Sequence, residues 1–210
     1  MPNPPDSKAD CYSANERGAM VWTQRLRERW CEPLLAILAR AGVRPDHLTW
    51  LSLLSGLAFC PLYLSSQYWW SKPAAFMLLA LHVIWDGLDG PLARRIGVAS
   101  RGGSFTDSTS DQIVVAATTI SLMVAEPRPI DVVPGGIYIF VYTMVVAFAM
   151  VRNAMGIPYS WLIRPRFCVY AWLFVETYWL PGTLNVMLWL CNALLVWKMV
   201  TGFRAIRKVL

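Results

Sequence analysis

Apolar residues in this chain gather into six long blocks separated by short polar breaks. A helix that crosses a bilayer needs about 20 such residues, fewer where polar ends reach the interface. The blocks run from Leu48 to Tyr68, Pro73 to Asp89, Ser104 to Ala125, Gly135 to Val151, Ser160 to Leu180 and Thr183 to Val200. Helix breakers punctuate them at Pro73, Pro127, Pro129, Pro134, Pro158 and Pro181-Gly182. No internal repeat is evident. The pattern predicts an all-α integral membrane bundle of six transmembrane helices, built as one domain over residues 45–210.

Ahead of the first block lies VWTQRLRERWCEPLLAILARAGV. Trp22, Leu26 and Trp30 recur every four residues, Arg25, Arg27 and Arg29 stand between them, and Leu34 and Leu38 continue the stripe beyond Pro33. This predicts an amphipathic juxtamembrane helix over residues 19–44. It either lies in the membrane interface or packs on the bundle as a soluble helix. Residues 1–18 are polar and rich in Pro, Asn, Asp and Ser, the composition of a disordered tail without the apolar core of a signal peptide.

Composition agrees. Hydrophobic residues make up 56% of the chain and charged ones 15%, and eleven Trp with eight Tyr suit interfacial anchoring. With six spans and the N-terminal tail inside, Lys72 and Arg128 are the only basic residues in outer loops. That asymmetry places the stretch between the second and third spans on the cytoplasmic face. The net charge of +6 then fits anionic lipid headgroups, and no nucleic acid partner is expected. Cys11, Cys31, Cys60, Cys168 and Cys191 are odd in number and widely spaced, so they read as inert thiols rather than metal ligands.

The chemistry is concentrated in WDGLDGPLARRIGVASRGGSFTDSTSD, from Trp85 to Asp111. Asp86 and Asp89 are three apart and Asp107 and Asp111 four apart, so each pair shares one helix face. A short loop between two helices would bring the faces together at the bilayer edge, where carboxylates are costly and functional. Two unit charges 4 Å apart repel by about 4 kcal/mol at an effective dielectric near 20. Such a cluster needs cations, and hard oxygen donors favour Mg²⁺ or Mn²⁺, with a shared site favouring two ions. Pro91 removes a backbone donor and is expected to bend or end the helix after Gly90.

The full spacing, Asp86-x-x-Asp89-Gly90-x-x-Ala93-Arg94, eight residues, then Gly103-x-x-x-Asp107-x-x-x-Asp111, resembles the signature of the CDP-alcohol phosphatidyltransferases. All eight fixed positions match. The resemblance implies transfer of a phosphatidyl group from a CDP-linked lipid, CDP-diacylglycerol, to an alcohol acceptor, with release of CMP. It implies that Asp86, Asp89 and Asp107 hold the metal ions and that Asp111 lies near the second ion and acts as general base. It places Asp86, Gly90, Ala93, Arg94 and Gly103 around the nucleotide, with Arg94 facing the nucleotide or pairing with motif carboxylates. It also implies a homodimer and an amphipathic helix ahead of the first span.

Other polar residues are less decisive. His82 lies four before Asp86 and reads as a packing or supporting residue. Thr49 stands at the inner start of the first span, and Glu176 near the outer end of the fifth reads as interfacial. Arg152, Arg164 and Arg166 cluster at inner helix ends, where they either snorkel to the interface or bind an acceptor's phosphate. Relatives that use a phosphorylated acceptor often carry Lys or Arg just after the fourth Asp. Gln112 stands there and speaks against a phosphate, while the basic C-terminal stretch speaks for one. Two other classes stand as alternatives. A membrane prenyltransferase also binds a diphosphate through Asp clusters, but its motifs lie far apart in sequence. A non-catalytic carrier or scaffold has no need of every motif carboxylate.

Overall fold

The structure, a computed structural model, describes residues 14–65, 68–126, 128–157 and 164–210. Among them the chain forms seven helices and no strand: α1 (Ala14–Arg40), α2 (Pro45–Leu64), α3 (Ser71–Arg95), α4 (Arg101–Val124), α5 (Val132–Ala154), α6 (Pro165–Tyr178) and α7 (Leu184–Arg207). The expected tail falls outside the described residues up to position 13, and residues 14–18 belong to α1. Residues 160–163 of the expected fifth span also lie outside them.

Four helices, α2, α3, α5 and α7, are long and apolar enough to cross a membrane. The other two expected spans fall short for different reasons. The first half of α4 carries Asp107 and Asp111 among Ser and Thr side chains, and α6 is 14 residues long.

α2 lies along α3 and crosses α4 at Gly56, where a Cβ would sit 2.5 and 2.7 Å from the two Val114 methyls. Small residues at such crossings let helix backbones approach closely. α5 packs on α4 and α7, and the buried Asn192 of α7 donates its Nδ2 to the Pro134 carbonyl at 2.9 Å. The main core joins these helices through Phe59, Leu79, Val115, Leu122, Tyr138, Leu173 and Leu188.

Glu176 is not an interfacial side chain. It is buried near the end of α6 and accepts from the Leu184 N–H at 2.7 Å, the Gly182 N–H at 2.5 Å and the Thr183 hydroxyl. The first N–H groups of α7 have no intrahelical partner, and this carboxylate satisfies them where the helix dipole favours negative charge.

Near the aspartates a second apolar cluster forms from Leu35, Leu48, Leu88 and Leu92. It ties α1 to the last turns of α3, and an Arg95–Glu32 ion pair at 2.5 Å reinforces the contact. This packing explains why α3 continues past Pro91 to Arg95, although the proline was expected to bend or end it. The buried Leu92 anchors the turn that the proline weakens. On the outward side of α1, Trp22, Leu26, Trp30, Leu34 and Ile37 remain exposed as one apolar stripe.

Gly56→Val forces two methyl groups into the α2–α4 contact. Its expected cost is about 1–3 kcal/mol, seen as a lower unfolding midpoint in detergent. Gly136→Ala is the control, because nothing lies within 4 Å of its added Cβ.

Candidate active site

The two aspartate pairs are joined by a helical hairpin whose turn is closed by backbone chemistry. α3 ends with Gly97 at φ +74, while Val98 N–H bonds the Ala93 carbonyl at 2.9 Å and Gly97 N–H bonds the Arg94 carbonyl at 3.3 Å. These are the two bonds of a Schellman cap, which needs a left-handed residue at the glycine position. α4 starts three residues later, with the Ser100 hydroxyl accepting from Gly103 N–H at 3.0 Å. That bond satisfies a donor otherwise left orphaned at the helix start.

The hairpin brings Asp86, Asp107 and Asp111 together, with one carboxylate oxygen of each within 4.8 Å of the others. Asp89 is buried alongside but turned toward α2. Its Oδ2 accepts from the Thr49 hydroxyl at 3.0 Å and its Oδ1 from Gly90 N–H at 2.6 Å. Asp86, Asp107 and Asp111 therefore form the tight group, and Thr49 holds Asp89.

The group also receives an arginine from far along the chain. Arg166 is 1% exposed, donates Nη2 to Asp86 Oδ2 at 2.6 Å, and pairs through Nη1 with Asp111. Arg164 Nη1 stands 4.0 Å from the same Asp86 oxygen. The face of Phe167 covers the Arg166 guanidinium, 4.7 Å from the ring centroid. Beside this centre opens a cavity of about 270 Å³ lined by Arg101, Ser104, Asp107, Asp111, Tyr142, Asn153, Arg164 and Arg166, among others.

Of the expected acceptor residues, Arg164 and Arg166 reach this cavity. Arg152 does not line it. Ala149, Met150, Asn153 and Ala154 present that face of α5, and Arg152 lies off it. Gln112 is also elsewhere, donating to the Thr143 hydroxyl on α5. One residue on from Asp111 is about 100° around a helix, so the two side chains cannot share a face. Arg101, not singled out from the sequence, takes a place in the lining. Gly90, Ala93 and Arg94 continue the face of α3 that carries Asp86, and a Cβ on Gly90 would meet Arg94 Nη1 at 3.5 Å. His82 lies one turn deeper, buried, with its Nδ1 against the Ser52 hydroxyl at 2.8 Å, a supporting rather than a ligating place.

The donor set fits a divalent metal ion. All ligand atoms are hard carboxylate oxygens, and four carboxylates outnumber the two nearby guanidinium groups. Oxygens on opposite sides of Mg²⁺ lie about 4 Å apart, so the observed spread closes with small side-chain rotations.

A bundle of apolar helices with an oxygen-lined centre that could hold a metal ion defines a helical membrane protein. The model of the CDP-alcohol phosphatidyltransferase family matches residues 43–204, and the chain belongs to that family. It is 33% identical over 109 residues to a phosphatidylinositol phosphate synthase of Cutibacterium acnes, covering 50% of this chain and 51% of that protein. It is 35% identical over 103 residues to CDP-diacylglycerol–glycerol-3-phosphate 3-phosphatidyltransferase 2 of Arabidopsis thaliana, covering 46% and 42%. The chain spans about half the length of the curated relatives it matches. The Mycobacterium tuberculosis phosphatidylinositol phosphate synthase, solved with CDP-DAG bound, superposes with a TM-score of 0.69 at 23% identity, over 84% of this chain and 93% of that one. Its structure with manganese and citrate gives 0.67 at 24%, over 82% and 87%. At this identity the likeness establishes a shared fold.

Proposed function

We propose that this chain transfers the phosphatidyl group of CDP-diacylglycerol to an alcohol and releases CMP. The observation that carries the reading is the convergence of Asp86, Asp107 and Asp111 beside a cavity lined by Arg101, Arg164 and Arg166. Asp86, Asp89, Asp107 and Asp111 would hold two Mg²⁺ or Mn²⁺ ions, with Asp89 reaching them by release from Thr49. When bound, the ions neutralise diphosphate charge and make the acceptor hydroxyl more acidic.

The remaining steps belong to the chain. Asp111 borders the basic cavity and takes the proton of the acceptor hydroxyl. The freed oxygen attacks the β-phosphorus of the donor. A new P–O bond forms, the bond from that phosphorus to the bridging oxygen breaks, and CMP leaves with the bonding pair. Gly90, Ala93 and Gly103 leave room for the nucleotide near the backbone, and Arg94 adds positive charge on the same face.

Three arginines around the cavity favour an acceptor that carries a phosphate. The Cutibacterium and Arabidopsis relatives are both named for phosphate-bearing headgroups. Gln112 has no weight against this, since it faces Thr143.

Six spans, with α4 and α6 crossing beside the four apolar helices, are the arrangement we favour. The charge asymmetry supports a cytoplasmic site. The exposed Trp22–Trp30 stripe supports α1 lying in the interface, ahead of a catalytic domain over residues 45–210. A homodimer is supported by family membership. Ala99→Cys in native membranes should react with impermeant reagents only from the cytoplasmic side, and a bifunctional cross-linker should trap two chains. Labelling from the opposite side, or an active chain that is never trapped in pairs, contradicts the corresponding part.

Excess chelator is expected to abolish CMP release, and Mg²⁺ or Mn²⁺ to restore it. Asp111→Asn should lower kcat by about 10²-fold or more while calorimetry with CMP and Mn²⁺ still shows binding. Asp86→Asn and Asp107→Asn should lose that binding. Full turnover in chelator, or equal loss of binding in all three variants, refutes the assignment.

For the acceptor, Arg164→Ala and Arg101→Ala each remove a charge-assisted contact worth about 1.5–3 kcal/mol. The acceptor's KM should rise roughly 10- to 150-fold with little change for the CDP-lipid, and Arg152→Ala should resemble wild type. Equal shifts for both substrates contradict a phosphate pocket.

A further inference from the structure

We propose that His82 and Tyr170 are positioning residues for the active site. Through one buried water they hold the back of the Arg166 guanidinium, whose front grips Asp86 and Asp111. This role rests on the function proposed above, in which those aspartates are metal ligands.

α3 and α6 meet in layers. Asp86 on α3 pairs with Arg166 on α6. His82 and Tyr170 stand four residues from Asp86 and Arg166, one turn deeper on the same helix faces. Their rings meet edge to face, 6.1 Å apart between centroids. Further along, Phe76 meets Phe174 at 5.2 Å, and there the seam is apolar. The His82–Tyr170 layer therefore sets polar atoms between an ion pair and an apolar seam, and both residues are buried.

Hydrogen bonds fix one side of His82 and leave the other open. The Ser52 hydroxyl donates to the His82 carbonyl at 3.1 Å. With its proton spent there, it accepts from Nδ1 at 2.8 Å, and the Ser52 carbonyl, 3.1 Å from Nδ1, can only accept. Nδ1 thus carries the ring proton, and Nε2 is a bare acceptor with no protein donor. Arg166 Nε and the hydroxyls of Tyr138 and Tyr170 have no protein partner either. The Tyr170 hydroxyl comes near Thr118 without completing a bond, and the Thr118 proton goes to the Val114 carbonyl at 2.7 Å. These groups are neighbours, since the charge of Arg166 acts on His82, Tyr138 and Tyr170 alike.

Buried polar atoms bond to protein or to ordered water, and a buried water makes roughly two to four such bonds. One water here donates to His82 Nε2 and to the Tyr170 oxygen, and accepts from Arg166 Nε and the Tyr138 hydroxyl. Its two protons and two lone pairs match that set.

The effect is felt at the front of the guanidinium. Nη2 bonds Asp86, Nη1 pairs with Asp111, and Phe167 covers one face. Anchoring Nε fixes the orientation of this planar group. It thereby sets the directions in which both carboxylates offer their remaining lone pairs to a metal ion. Supporting contacts of this kind tune metal affinity.

The test compares Tyr170→Phe, which removes one hydroxyl, with His82→Asn and His82→Gln. Asn keeps a polar group facing Ser52 and loses the Nε2 position, whereas the longer Gln places an oxygen there. Mn²⁺ affinity is read by electron paramagnetic resonance on the full chain in detergent. Tyr170→Phe and His82→Asn should each weaken it about 10-fold, and His82→Gln should recover most of it. Wild-type affinity in Tyr170→Phe and His82→Asn, or equal loss in His82→Asn and His82→Gln, overturns the proposal. A second measurement uses the wild type, which has only two histidines, His47 and His82. In its ¹⁵N-histidine spectrum, with His47→Gln identifying the resonances, His82 should carry its proton on Nδ1 and accept a hydrogen bond at Nε2. A proton on Nε2, or an Nε2 without a hydrogen bond, overturns the proposal even where the variants unfold. A wild type that binds no Mn²⁺ and releases no CMP refutes the proposed function, while the ring spectrum still decides what His82 bonds.

Discussion

A guanidinium buried among carboxylates is the interaction on which the aspartate-bearing half of this molecule turns. Asp86 and Asp111 lie on different helices, and their charges would drive α3 and α4 apart. Arg166 sits between them and pulls in the start of α6. Removing one partner of such a buried pair leaves an uncompensated charge, typically at a cost of about 3–5 kcal/mol. The arrangement still leaves more negative than positive charge, with Asp107 and Asp89 close by. The fold thus brings the helices together while keeping a demand for additional cations, which is the condition a metal-dependent phosphoryl chemistry requires.

The neighbouring elements follow from that requirement. Thr49 at the start of α2 and the Gly90 N–H occupy both oxygens of Asp89. Leu88 and Leu92, beside Asp89 on the same helix, pack against Leu35 of α1 and Leu48 of α2. Polar satisfaction of Asp89 and this apolar burial together keep α3 continuous through a proline. At the opposite end Glu176 performs a related task with no catalytic purpose, joining α6 to α7 through backbone N–H groups.

What could be read from the amino-acid sequence tracks how local each feature is. The spacing of the four aspartates depends only on helical period and a short loop, and the structure brings three of them together as that period demands. Thr49 reaches Asp89 across 40 residues and Arg166 reaches Asp86 across 80, and no local pattern encodes such contacts. Arg152 and Gln112 stand out by charge or by position along the chain, yet the helix face on which each lies keeps it off the cavity lining. Arg101 carries no local sign of a role, yet it opens α4 and lines the cavity. The six apolar blocks correspond to α2 through α7, but the first half of α4 carries Asp107 and Asp111 among Ser and Thr and so does not read as a plain membrane span. Glu176 shows the remaining difficulty: a carboxylate near a helix end looks the same in sequence whether it faces water or caps its neighbour.

The hairpin closed by Gly97 and Ser100 also sets an order of events during synthesis. Its four carboxylates lie close together in the chain, so they emerge and meet as one local unit. Arg166 is made about 55 residues after Asp111. At roughly 5–20 residues per second, the nascent hairpin waits some 3–11 s for its own arginine. During that interval Arg94, Arg95 and Arg101 of the hairpin itself, water and the cations of the surrounding medium offset its charge. The insertion of this segment is thus a folding step that begins electrostatically incomplete and is finished by a helix not yet translated.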